Sequence, residues 1–301
     1  MTNSLNVRCS AFVEGYKMRS IDSIRLALFG ESDVGKTHYG GQLLTRIETE
    51  ACELKMREAP IDLSPFEEVR QKLSKGLLAS HTASNVYKES VWPVTNPQHG
   101  IDLDLIWPDY AGEQVRQLID MRLMGKEWLS RVQSADGWVL MVRPKLARQD
   151  DDIFSRPLGN VPRPESDAGH KPARSVQARL VELLQMLVHA RSLDRNKPLP
   201  PLTVLLSCWD EVNPDAGIKP ADILWKCMPL VASYVLSRWG DNKQTVFGLS
   251  ALGVELSRET ANAQYADKGP EHFGFVITPD GSRSTDLTLP IMQLAEVAKR
   301  Q

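Results

Sequence analysis

The run GESDVGKT at Gly30–Thr37, directly behind the apolar stretch IRLALF, constrains this chain more than any other feature. A strand that ends in a short loop with glycine at both ends, followed by Lys-Thr and a helical pattern, is built to wrap backbone around phosphate. Small residues let consecutive N–H groups converge on one anion, and the positive end of the following helix adds favourable potential. Gly30, Asp33, Val34 and Gly35 are therefore assigned to phosphate by backbone, Lys36 to neutralising β/γ-phosphate charge, and the Thr37 hydroxyl to Mg²⁺. The plain alternative is a chance match in a glycine-containing turn. Against it stands the strand–loop–helix context.

The rest of the chain alternates strand-like and helix-like runs. A strand is predicted over Ser23–Phe29, helices over residues 36–56 and 66–79, and an antiparallel hairpin from VYKESVWPV and IDLDLIW around NPQHG. The Gly40–Gly41 pair inside the first helix implies close packing or a nearby ligand. A single helix is expected over residues 113–133, then a buried strand GWVLMV, then a loop insertion at about 144–174. Val176, Leu180, Leu183, Leu184, Leu187 and Val188 form one helical stripe. LTVLL and TVFGL are strands, residues 221–239 one helix, and Pro290 suits the first turn of a final helix. The pattern predicts an α/β fold with a doubly wound, mostly parallel sheet and ligands at the carboxyl ends of its strands. Residues 1–22 read as an N-terminal arm and residues 23–301 as one P-loop domain.

Three further segments fall at predicted strand ends. In IDLDLIWPDYAGEQ, Asp109 is able to hold a Mg²⁺ water shell and the Gly112 N–H to reach a γ-phosphate, so the loop can sense whether that phosphate is present. A turn carboxylate after Pro108 is the plainer reading of Asp109. At this point the sequence resembles the Ras-like, translation-factor-related class of P-loop GTPases, whose third motif is D-x-x-G, often followed by Gln or Glu. In LTVLLSCWDEV, Ser207-Cys208-Trp209-Asp210 corresponds to the Asn/Thr-Lys-x-Asp motif of that class. The resemblance implies that Asp210 reads guanine N1 and N2, yet Cys208 stands where the family carries a lysine lying along the base. Asp210 as a helix or turn cap is the alternative. Ser250-Ala251 after TVFGL matches the short Ser-Ala motif, whose Ala N–H reaches guanine O6 in the family. Ser207, Asp210, Ser250 and Ala251 are thus the implied guanine contacts.

The long segment between Lys36 and Asp109, the strand-end S-x-W-D-E and the C-terminal FGFVITPDGSRSTDLTLPIMQLA resemble the bacterial double-GTPase group. That group is associated with multi-gene conflict or signalling systems, which implies a protein effector or neighbouring-gene partner. The resemblance implies a GTP/GDP-binding, GTP-hydrolysing switch with Mg²⁺. Catalysis is then mostly positioning and charge stabilisation of in-line water attack. Glu113 occupies the place of a water-positioning Gln, with Gln114 beside it as the alternative, so unaided turnover is expected to be slow. Thr82 is the candidate first-switch ligand to Mg²⁺, with Ser80, Ser84 and Thr95 competing. No arginine finger is assignable. A weakly catalytic nucleotide-binding scaffold is the main rival reading, favoured by Cys208 and Glu113, and an ATP-using P-loop NTPase is the third, through the imperfect base motif.

Composition excludes other classes. A net charge of −2 lacks the signature of a dedicated nucleic-acid or anionic-membrane binder. Cys9, Cys52, Cys208 and Cys227 form no CxxC pair, which argues against a zinc site. No apolar leader or membrane-length run appears, so the expectation is a cytoplasmic protein. Asp150–Asp152 reads as a solvated loop and His189 as a helix-end residue. Trp107, Trp138 and Trp225 are assigned to the core, Trp128 and Trp239 to a partner surface.

Overall fold

The computed structural model describes residues 23–79, 88–109, 112–147, 174–212, 215 and 217–300. Along the chain these give β1 (Ile24–Phe29), α1 (Lys36–Glu48), β2 (Lys55–Met56), α2 (Ser64–Leu73), β3 (Lys88–Asn96), β4 (Ile101–Asp109) and α3 (Gly112–Met121). There follow α4 (Lys126–Ser134), β5 (Gly137–Val142), α5 (Val176–Ser192), β6 (Leu202–Ser207), α6 (Trp209–Val212) and α7 (Pro220–Cys227). The chain closes with α8 (Pro229–Trp239), β7 (Gln244–Ser250), α9 (Ala263–Lys268), β8 (Phe275–Ile277), β9 (Arg283–Ser284) and α10 (Leu289–Lys299). The predicted arm (1–22), Thr82, Ser80 and Ser84, and most of the predicted insertion, Asp150–Asp152 included, lie outside the described residues.

One nine-stranded sheet runs β2-β3-β4-β1-β5-β6-β7-β8-β9. Its centre, β4-β1-β5-β6-β7, is parallel, and antiparallel strands extend both edges. The chain leaves β1 toward β4 first and returns on the other side to β5, so β1 lies at the point where strand order reverses. In an open α/β sheet that is where a ligand crevice forms. The predicted hairpin is present as β3–β4.

Period-two alternation divides the core between the two faces of the sheet. Ala27, Phe29, Trp138, Leu140, Val142, Val204 and Leu206 face the layer of α3, α4, α5, α7 and α8. Leu26, Leu28, Val139, Met141 and Leu205 face that of α1, α2 and α10. Both faces of the central strands are covered, which explains why GWVLMV and LTVLLS read as continuous apolar runs.

Several boundaries differ from the sequence reading. The first helix ends at Glu48, not residue 56, and Lys55–Met56 pair with β3 as an edge strand. The second helix stops at Leu73. The expected helix over 113–133 is two helices, α3 and α4, broken where Arg122 takes a positive φ of 51° ahead of Gly125. The 221–239 helix is likewise split, because Pro229 cannot continue α7 and instead opens α8. The C-terminal segment adds strands β8 and β9, which the sequence reading lacked. Trp225 is 45% exposed, whereas Trp128 and Trp239 are buried, reversing those assignments. Trp128 stacks on Phe29, and the Trp239 indole donates to the Pro200 carbonyl.

The Gly40–Gly41 question resolves as packing. A β-carbon on Gly40 would stand 2.3 Å from the Phe66 ring and 2.9 Å from that of Trp107, and one on Gly41 2.8 Å from Val69 Cγ1. Helix α1 therefore approaches α2 and β4 closely, beside a ring cluster in which Trp92 and Trp107 stack with centroids 4.9 Å apart. On its other side α1 is tied to the C-terminal segment. The Tyr39 hydroxyl donates to the Leu287 carbonyl at 2.8 Å, Gln42 Nε2 to the Tyr265 hydroxyl at 2.6 Å, and Arg46 to the Thr285 and Phe273 carbonyls. Gly40→Ala is expected to cost about 1–3 kcal/mol through overpacking against two rings. Urea unfolding checks this, and a midpoint equal to that of the unaltered protein contradicts the packing account.

Candidate functional site

Parallel pairing brings the ends of β1, β4, β6 and β7 to one edge of the sheet. The β1–β4 register pairs Ala27 with Ile106, and the same offset sets Gly30 level with Asp109. Val142 pairs with Leu206 and Ser207 with Leu249, which continues the line across the sheet. Of the four sequence segments singled out, all emerge on this edge.

The loop Gly30–Thr37 is shaped by backbone demands. A β-carbon on Gly30 would lie 2.6 Å from the Met141 carbonyl oxygen, so only glycine lets the chain leave β1 in contact with β5. Asp33 and Gly35 have φ of 64° and 80°, both left-handed, and these reverse the chain into α1. Lys36 is buried, its ammonium folded over the loop to donate to the Gly30 carbonyl at 3.0 Å and the Glu31 carbonyl at 2.5 Å. Thr37 is the second residue of α1, so its hydroxyl belongs to the helix's positive end.

Two ion pairs brace the loop from opposite sides. Glu31 is buried and bidentate with Arg179 of α5, at 2.8 Å (Nε to Oε1) and 2.9 Å (Nη2 to Oε2). Arg143, immediately after β5, donates through Nη1 to the Asp33 carbonyl at 3.0 Å and through Nε and Nη2 to the two carboxylate oxygens of Glu211, the Nε bond measuring 2.9 Å. The Arg143 hydrogen bonds hold the Glu211 carboxyl below its ordinary range. The pair's contribution to stability is thus present above the ordinary glutamate pKa and is lost as pH falls through the lowered folded value.

Asp109 closes β4, paired with Lys88 across the hairpin. Tyr110 and Ala111 lie outside the described residues. Gly112 opens α3, with Glu113 and Gln114 in its first turn. At the end of β6, Ser207 is buried and its hydroxyl donates to the Val142 carbonyl of β5 at 3.0 Å. Cys208 takes a φ of 51°, which turns the chain directly into the short helix α6. Burial pushes its thiol up to about 11, so it stays a neutral, weakly polar group. Trp209 is buried flat against Gly248 of β7, where an added β-carbon would stand 2.5 Å from the indole. That contact anchors the turn and leaves Asp210, the next residue, exposed. Ser250 ends β7, and its hydroxyl accepts from the Gly253 N–H at 3.2 Å, fixing the turn that carries Ala251.

The sequence reading assigned no role to Arg143, Glu211, Glu31 or Arg179, although Glu31 and Glu211 lie within motifs it singled out. Arg143 carried a signal, since a charged residue directly behind a fully apolar strand must emerge at the strand's carboxyl end. The Glu31–Arg179 pair carried none, because its members are far apart in the chain. The Thr37 hydroxyl is a hard oxygen donor of the kind Mg²⁺ takes when phosphate and water complete its shell. Among the described residues no group of three or more His, Cys, Asp or Glu is gathered for a metal. No helix among them is long and apolar enough to cross a membrane.

The family model described as Double-GTPase 1 matches residues 27–294, nearly the whole described domain. The chain belongs to the Double-GTPase 1 family. A search of curated proteins returns no match. Among solved structures, the GTPase-like domain of S. cerevisiae Ski7 bound to GTP is 16% identical over 93% of this chain and 51% of its own, with a TM-score of 0.43. Elongation factor SelB from Methanococcus maripaludis, with a GTP analogue, is 13% identical over 76% of this chain and 30% of its own (TM-score 0.36). The signal recognition particle receptor SRβ-GTP/SRX complex from Chaetomium thermophilum is 12% identical over 81% and 96% of the two chains (TM-score 0.39). This double-GTPase chain spans about a quarter to a half of the first solved structures it matches.

Within the double-GTPase site, Arg179→Ala leaves the buried Glu31 carboxylate without its bidentate partner. The expected loss is about 2 kcal/mol, below the range for fully buried pairs because the Arg179 side chain keeps 18% exposure. Urea unfolding at neutral pH measures it, and an unchanged midpoint refutes the bracing role.

Proposed function

We propose that the chain is a GTP-binding, slowly GTP-hydrolysing switch whose nucleotide-dependent state is read by a partner protein of a bacterial conflict or signalling system. In this reading Gly30, Asp33, Val34, Gly35 and Lys36 hold the phosphates. Thr37 and Asp109, together with Thr82, serve Mg²⁺. Gly112 senses the γ-phosphate. Ser207, Asp210, Ser250 and Ala251 hold guanine. Family membership supports GTP as the ligand. The single observation that carries the arrangement is Arg143, one guanidinium bonded both to the Asp33 carbonyl of the phosphate loop and to Glu211, next to Asp210. Loops that far apart in sequence are thereby tied to one another at the carboxyl edge, which supports a shared site.

Magnesium, when bound, supplies charge neutralisation at the β- and γ-phosphates. The chain's own residues do the rest. The Lys36 ammonium donates to two loop carbonyls and has those bonds to exchange for phosphate oxygens. Glu113 is a carboxylate where a neutral amide would serve better beside a γ-phosphate, so it turns outward or acts as a base, with Gln114 as its neighbour. Slow intrinsic turnover follows, with stimulation by a partner. The rival, a scaffold that binds without turnover, rests on the same residue and on Cys208.

Titration of the purified chain with GTP, GDP and ATP in Mg²⁺, followed by phosphate release, separates these readings. Tight GTP binding with slow release supports the switch, binding without release the scaffold, and tighter ATP binding overturns the guanine assignment. Lys36→Ala is expected to abolish nucleotide binding, and unchanged affinity contradicts the phosphate-loop role. Asp210→Asn is expected to lower the GTP over ATP preference by tenfold or more, roughly the loss of one charge-assisted hydrogen-bond pair. An unaltered ratio refutes its base-reading role.

A further inference from the structure

The segment Ser207-Cys208-Trp209-Asp210 has a neutral thiol at the position where the resembling GTPases carry a lysine along the base. Burial keeps that thiol protonated at any ordinary pH. Yet a cation from a different strand bonds to the helix that this segment opens, at Glu211. Arg143 follows β5, and its guanidinium is held on three N–H groups: Nη1 by the Asp33 carbonyl, Nε and Nη2 by Glu211. Its charge acts on Cys208 as well as on Glu211 and Asp33. We propose that Arg143 replaces the missing lysine, its flat guanidinium forming the wall on which the purine and ribose of the bound nucleotide rest. The inference deepens the GTP-binding reading above and depends on it.

The geometry favours this role over a merely structural tether. A nucleotide with its phosphates on Gly30–Thr37 and its purine at Asp210 must pass between Asp33 and Cys208–Glu211. Arg143 spans that gap. Its partners bond in the plane of the guanidinium, so they fix the direction of its flat face, the face that stacks on an aromatic ring. The side chain is 25% exposed, so it is not enclosed. Glu211 is then a positioning residue. It sits one step beyond Asp210 on α6, so the same short helix carries the proposed base reader and the carboxylate that aims the stacking cation.

The test measures binding of fluorescent GDP and ADP analogues to the full chain in Mg²⁺, with thermal unfolding of each protein followed alongside. Arg143→Ala is expected to weaken GDP by about tenfold or more. Arg143→Lys should recover part of the loss, since lysine restores the charge without the fork. The decisive protein combines Arg143→Ala with Cys208→Lys: returning a lysine to the base-reading segment is expected to restore GDP affinity. Should Arg143→Ala not fold, Arg143→Lys and Glu211→Gln carry the comparison, each expected to weaken GDP severalfold in a folded protein. Failure of the unaltered chain to bind GDP overturns the underlying nucleotide reading. GDP binding that stays within twofold in the folded Arg143 variants overturns this inference alone. Weak binding that Cys208→Lys does not restore also overturns it, and assigns Arg143 to holding the loops together.

Discussion

The close passage of Gly30 over the Met141 carbonyl is the constraint on which the carboxyl edge depends. Strand β1 lies between β4 and β5, and its exit must clear β5 before it can turn into α1. Any side chain at that position would meet backbone at 2.6 Å, and backbone cannot move aside without breaking the β5 ladder. The left-handed conformations at Asp33 and Gly35 complete the reversal. Together they aim the first N–H groups of α1 at the crevice where strand order switches. The phosphate-loop geometry is thus set by steric facts in the sheet, before any ligand contributes.

Around that loop the cations bond to backbone carbonyls and carboxylates. Lys36 takes the Gly30 and Glu31 carbonyls, Arg143 the Asp33 carbonyl and Glu211, and Arg179 the Glu31 carboxylate. Glu31 is therefore held twice, through its carboxylate by α5 and through its carbonyl by the loop's own lysine, while Asp33 is held from the residue after β5. A loop fixed at so many points is pre-organised for an anion, which is where rate and affinity in phosphate chemistry come from.

Much of this was legible in the sequence because it is written in local patterns. The strand–GESDVGKT–helix succession, the period-two runs GWVLMV and LTVLL, and the tight hairpin around NPQHG each follow from a few adjacent residues. What escaped was decided by distant partners or by single breaks. Lys55–Met56 become a strand only because β3 offers an unpaired edge, and β8–β9 exist only alongside β7. Helical periodicity continues across Arg122–Gly125 and Pro229, so one long helix was read where the backbone makes two. The tryptophans were misjudged for the same reason: Trp128 and Trp239 sit on helices whose neighbours α5 and β5 are far away in the chain. In the site, the four motif segments were visible, whereas the Glu31–Arg179 and Arg143–Glu211 braces connect residues that no local pattern links.

The anchoring of α1 by the C-terminal segment divides the nucleotide edge mechanically. Tyr39, Gln42 and Arg46 are bonded to Leu287, Tyr265, Thr285 and Phe273, and Gly40 and Gly41 are wedged against α2 and β4. The helix behind the phosphate loop is in effect a stator, bolted down along its length by the segment that follows β7. The α1 flank is therefore the fixed frame of this edge, one that cannot shift without breaking its hydrogen bonds to Tyr265, Phe273, Thr285 and Leu287.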